Sequence, residues 1–240
     1  MIARSFAYFL TGLSLLFATA VLSKGALEFS SGLVTRGMLV DACQSVRYLE
    51  QGYCQGYVLG VGDVLIRELG FRQDIEPVCM QNKVDWETAV PLVIDRTKSV
   101  RNQRENFVRP DVEASWGRLF PCLPSAEGSQ PRRSELLDGL DLRMWCQSKS
   151  RRLSGQCEGY LVGVFERLSV VKVGDVGCLP AGQTGSALAG RLAKRLAQIT
   201  DDDTLYAWLS DGGIDLVMRG VETVWGRRAE SCNLIVEHGG

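Results

Sequence analysis

Histidine is almost absent from this 240-residue chain; the only one is His238, in a tail that ends in glycine. A nucleophile–histidine–acid relay therefore has no base to work with. No Cys-x2-Cys pair occurs either, so the ligand spacing of a zinc knuckle is missing. Asp211-Gly212-Gly213 lacks the Lys-Ser/Thr that a phosphate-cradling loop requires. Neither charge sign prevails: 27 basic residues face 28 acidic ones, which leaves no broad basic field for nucleic acid. Alternating strands of useful length are lacking, and only Phe6–Leu22 is an apolar run of nearly spanning length.

What the chain does have, it has twice. Cys43–Val61 aligns without a gap on Cys146–Val164, with nine identities in nineteen positions. Cys54-Gln55-Gly56-Tyr57-Val58-Leu59-Gly60-Val61 returns as Cys157-Glu158-Gly159-Tyr160-Leu161-Val162-Gly163-Val164. Trp-Gly-Arg also recurs, at Trp116 six residues before Cys122 and at Trp225 seven before Cys232. Matches at several anchors with one period mark a duplication. The expected organisation is a first repeat over 38–122, a Pro/Ser/Gly-rich linker over 123–138 and a second repeat over 139–232.

Residues 1–23 carry a short basic start, the apolar run and small residues at Ala18-Thr19-Ala20 and Val21-Leu22-Ser23. This is the pattern of a secretory signal peptide, with an uncleaved anchor helix as the competing reading. The expected location is the periplasm, with no membrane contact once the signal is cleaved.

Eight cysteines, four per repeat, then read as a disulfide framework. The apolar positions recur at three- and four-residue steps, for example Tyr57, Val58, Val61, Val64 and Leu65, so both halves should be helical. The fold expected is all-α, two tandem disulfide-linked helical bundles of about four helices each. Segment 24–37 reads as a lead-in, Asp85 as the cap of a helix to about Lys98 that Pro91 interrupts or kinks, and Asp111 as the start of another. Leu92 and Leu119 are placed on inward faces. In antiparallel hairpins, Cys43 and Cys54 lie at neighbouring helix ends, as do Cys79 and Cys122. The expected bridges are thus Cys43–Cys54, Cys79–Cys122, Cys146–Cys157 and Cys178–Cys232. Gly56 and Gly60, like Gly159 and Gly163, lie one turn apart on a helix. Each costs about 1 kcal/mol against alanine, so a second helix is expected to approach the backbone there.

Asp63, Glu68, Glu158 and Glu166 are not marked out by spacing and read as solvated helix faces rather than an acid–base pair. No catalytic residue, cofactor or metal site is expected, and the chain reads as a non-enzyme.

A short helix ending in Cys, the Cys-x-Gly-Tyr-aliphatic-aliphatic-Gly-Val box, a loop Cys and a closing helix ending in Pro121-Cys122 together resemble the Tai/Rap family. These are immunity proteins of type VI secretion systems, and the resemblance covers most of each repeat. It implies a small helical, periplasmic, disulfide-linked protein that binds a peptidoglycan-amidase effector and plugs its cleft with a loop between the last helices. On this chain the loops would be Ser99–Arg109 and Gln198–Thr204. Their candidate contact residues are Arg101, Asn102, Arg104 and Arg109 on the first, and Asp201, Asp202 and Asp203 on the second. Family members are single-domain, whereas this chain is a tandem. Cys79-Met80-Gln81 lacks the proline of Cys178-Leu179-Pro180, and Ser231-Cys232 lacks the one before Cys122. The alternative reading is a structural or adaptor module that binds another envelope protein. Oligomeric state is left open.

Overall fold

A computed structural model describes residues 33–67, 78–79, 84–100, 103–122, 136–168, 185–201 and 203–225. They hold eight α-helices and no named strand, only three isolated β-bridges. The first repeat contributes α1 (Arg36–Gln44), α2 (Tyr48–Arg67), α3 (Trp86–Ser99) and α4 (Arg109–Leu119). The second contributes α5 (Gly139–Gln147), α6 (Arg151–Leu168), α7 (Gly185–Ala197) and α8 (Gly213–Trp225), with a 3₁₀ turn at Tyr206–Trp208. All of these lie in one compact unit, 31–240.

The centre of that unit is the pair α2 and α6. From Tyr53 to Ile66 nearly every residue of α2 is buried, as a helix apolar all round must be. The two helices run in the same direction with their backbones in contact. A Cβ on Gly52, Gly56 or Gly60 would overlap the carbonyl oxygen of Arg152, Gln156 or Tyr160. Reciprocally, a Cβ on Gly155, Gly159 or Gly163 would overlap that of Leu49, Tyr53 or Tyr57. The close approach expected from the glycines is therefore between the two repeats themselves. Six positions without a Cβ are what lets two helix backbones touch along about two and a half turns.

The other helices wrap this pair. Trp116 of α4 is fully buried over Gly62, and its indole N–H donates to the Val58 carbonyl at 3.0 Å. Disulfides Cys43–Cys54 and Cys146–Cys157 pin α1 to α2 and α5 to α6, each with a Cα separation of 5.1 Å. Cys79–Cys122 ties the segment before α3 to the end of α4, at 4.7 Å. The fourth expected bridge, Cys178–Cys232, lies outside the described residues. Bridges of this kind persist in oxidising surroundings. No helix among the described residues is long and apolar enough to cross a membrane, and the run Phe6–Leu22 lies outside them.

Several local expectations are corrected. The lead-in is structured by Val34: both Val34 and Arg36 are buried and α1 begins at Arg36. Helix α3 starts after Asp85, whose carboxylate caps Thr88 N–H at 2.7 Å, and Pro91 lies inside it rather than ending it. Pro91 lies close to the exposed first turn, where the carbonyl it leaves unbonded can be hydrated. Leu92 and Leu119 face solvent, at 49% and 36% exposure, while Ala89, Val90, Val93 and Thr97 form the inner face of α3. At the other end of the linker region, Leu136 and Leu137 are buried, so the second repeat is ordered from there.

Candidate functional site

Two features of the structure bear on function: a buried polar pair between the repeats, and two rim loops. The first corrects the reading of the carboxylates as solvated. Asp63 and Glu166 are 3% and 4% exposed and occupy equivalent positions of the duplication. Tyr57 Oη donates to Glu166 Oε2 at 2.6 Å, and Tyr160 Oη donates to Asp63 Oδ2 at 2.8 Å. Each tyrosine thus bonds the carboxylate of the other repeat. The second oxygen of each carboxylate receives a backbone N–H: Leu136 to Asp63 at 2.9 Å, and Val34 to Glu166. Burial pushes the Glu166 carboxyl up to about 7, although its hydrogen bonds and Arg109 work in the opposite direction. Burial likewise raises Tyr57 well above the ordinary phenol range. Both tyrosine rings are fully buried, so these groups fasten the two halves and present nothing to a substrate. Glu158, too, is partly buried, and desolvation raises its carboxyl; Glu68 lies outside the described residues.

The rim loops follow α3 and α7, and each is stitched to the start of its repeat's first helix. In the first, Arg36 N–H donates to Asn106 O and Gly37 N–H to Arg104 O, both at 2.8 Å, and Val108 N–H donates to Val34 O at 3.0 Å. The buried Arg36 guanidinium bonds Asp111 at 2.8 Å, Lys98 O at 3.1 Å and Val100 O. The second loop repeats the pattern: Gly139 N–H donates to Asp211 O at 2.7 Å and Gly213 N–H to Leu137 O at 2.6 Å.

The candidate contact residues divide. Arg104 is exposed and forks onto Asp41 of α1, at 2.6 and 2.7 Å. Arg109 turns inward instead, donating to Glu166 O at 3.1 Å and pairing with Glu113 at 3.2 Å. Asp203 accepts both nitrogens of Arg195, at 2.6 and 2.8 Å, and Leu205 N–H at 2.8 Å. The Arg195 hydrogen bonds hold its carboxyl below the ordinary range. Asp201 is exposed, while Arg101, Asn102 and Asp202 lie outside the described residues. Arg104 and Asp201 are thus exposed at the surface, whereas Arg109 and Asp203 stabilise the loops internally.

Two rim residues escaped the sequence reading. Phe107 is 55% exposed beside Arg104, and Tyr206 is 43% exposed on the 3₁₀ turn. An aromatic alone in the polar stretch Arg101–Arg109 was the available signal for Phe107. The three-residue turn at Tyr206 is too short to have a period. Among the described residues no group of acidic, cysteine or histidine side chains is arranged to hold a metal ion.

No protein-family model, curated protein or solved structure matches the chain.

Proposed function

We propose that this chain is an exported binding protein that grips another protein through its rim loops, in the manner of an immunity protein occluding a peptidoglycan-amidase effector. The observation that carries this reading is the first rim. From Gln103 to Phe107 every side chain is exposed, while the backbone is tied down at Arg104, Asn106 and Val108. A loop already fixed in shape loses little conformational entropy on docking, which favours affinity. Phe107 supplies an aromatic anchor and Arg104 a planar cation, the residue types that dominate binding energy at interfaces. The resemblance of the Cys-x-Gly-Tyr boxes to the Tai/Rap family supplies the partner class and the periplasmic setting. Such a role needs no catalytic group.

The test is capture by the full chain from periplasm and from the secretions of rival strains, with a Phe107→Ala/Arg104→Glu variant beside it. Capture of a secreted wall amidase, with loss of its activity on peptidoglycan, is expected for the parent and not for the variant. An amidase left active, with only envelope proteins captured, would replace this reading with that of an envelope adaptor.

A further inference from the structure

The N-terminal ends of α2 and α6 break a local rule. Because the two helices are parallel and in backbone contact at Gly52 and Gly155, their first turns lie side by side. The positive ends of their dipoles therefore add, and acidic residues are expected there. Instead the two turns bring together Arg47, Lys149, Arg151 and Arg152, all exposed. The first turn of α6 has no acid, and that of α2 has only Glu50, which is buried and already paired with Arg47. Arg152 reaches across to Gln55 at 3.2 Å, so cations from the two repeats share one surface. On either side of Arg47 in the chain, an apolar and an aromatic side chain stand in water: Val46 at 89% exposure and Tyr48 at 66%. Glu50 answers Arg47, so neither first turn holds an acid for Lys149, Arg151 and Arg152, and that excess of cations points to an external anionic partner.

We propose that this end of the molecule docks on an anionic phospholipid bilayer. Free anions would satisfy the cations and the helix ends, but they offer nothing to Val46 and Tyr48. A bilayer surface offers both, with headgroup phosphates for the cations and the interfacial layer for an apolar and an aromatic side chain. The surface is absent from either repeat alone, since Arg47 and Tyr48 are separated by about a hundred residues of chain from Lys149–Arg152. The inference does not rest on the function proposed above.

The experiment is flotation of the full chain with vesicles of phosphatidylglycerol mixed with phosphatidylcholine, against phosphatidylcholine alone. The run Phe6–Leu22 is apolar enough to attach the chain to any bilayer, so the readout is the excess binding to the anionic vesicles. That excess should fall roughly a hundredfold in Lys149→Glu/Arg151→Glu/Arg152→Glu and fade with added salt in the parent protein. Val46→Ser/Tyr48→Ser should also reduce it. Equal binding to both vesicles by the parent protein, or an excess untouched by salt and by charge reversal, would overturn the proposal. Full retention by the Val46/Tyr48 variant, with complete competition by soluble polyphosphate, would also overturn it, in favour of a soluble polyanion.

Discussion

Tyr57 and Glu166 are 109 positions apart in the chain and joined by a 2.6 Å hydrogen bond inside it. The duplicated counterparts, Tyr160 and Asp63, make the same bond in the opposite sense at 2.8 Å. Partner exchange of this kind is what two equal halves produce when they pack about a common two-fold axis. It also fixes register, since sliding α2 along α6 by one turn would strand two buried hydroxyls and two buried carboxylates.

The pH dependence of stability should carry the mark of Glu166. Its carboxyl is held up at about 7 in the folded protein against an ordinary 4.5, so folding favours the protonated form. The stabilisation is complete below the ordinary value and is lost as pH rises through about 7. The unfolding free energy of the parent protein from urea titration should therefore fall between about pH 5 and pH 8, by up to about 3 kcal/mol. Glu166→Gln keeps an acceptor for Tyr57 without the ionisation, and its profile should be flatter over that window. Parallel profiles for the two proteins would refute the assignment.

Glycine positions should separate sharply under substitution. Gly56→Ala and Gly159→Ala each drive a methyl into a backbone carbonyl of the facing helix, which cannot move aside without parting the pair. A loss of about 3 kcal/mol or more is expected in denaturant titration. Gly190 of α7 has nothing within 4 Å of an added Cβ, so Gly190→Ala should leave stability unchanged or raise it by up to about 1 kcal/mol. Equal effects at Gly56 and Gly190 would contradict the close contact of α2 with α6.

Arg36 holds the first rim in place. Arg36→Ala leaves the Asp111 carboxylate buried without its cation and frees Lys98 O and Val100 O, for an expected loss of about 3–5 kcal/mol. Amide exchange at Arg104–Val108 should speed up more than exchange in α2. The double variant Arg36→Met/Asp111→Leu removes both charges and should recover most of the stability while leaving the rim amides less protected. Loss of stability without any local change in exchange would argue against a clamp.

The bridges predict a mass-spectrometric pattern. A non-reducing peptide map should join Cys43 to Cys54, Cys79 to Cys122 and Cys146 to Cys157. Replacing Cys79 and Cys122 by serine should cost about 4 kcal/mol, more than the about 3 kcal/mol for either short bridge, because the longer loop gains more freedom when opened. A map joining Cys54 to Cys79 would refute the pairing.

The sequence by itself determined the helical character, the duplication and three bridges now seen, because each follows from spacing along one chain. A 3.6-residue period, a Cys-x10-Cys interval and an aspartate before α3 are all local signals. It also indicated that Gly56, Gly60, Gly159 and Gly163 would meet a helix, since four costly glycines at matched positions need a reason to stay. Only the tertiary structure decided which helix that was. The burial of Asp63 and Glu166, the inward turn of Arg109 and the basic end at Tyr48 and Arg152 were likewise hidden. A carboxylate at position 63 of the chain is indistinguishable from a solvated one until Tyr160 is brought to it, and hydrogen bonds and desolvation depend on distance in space, not on distance along the backbone.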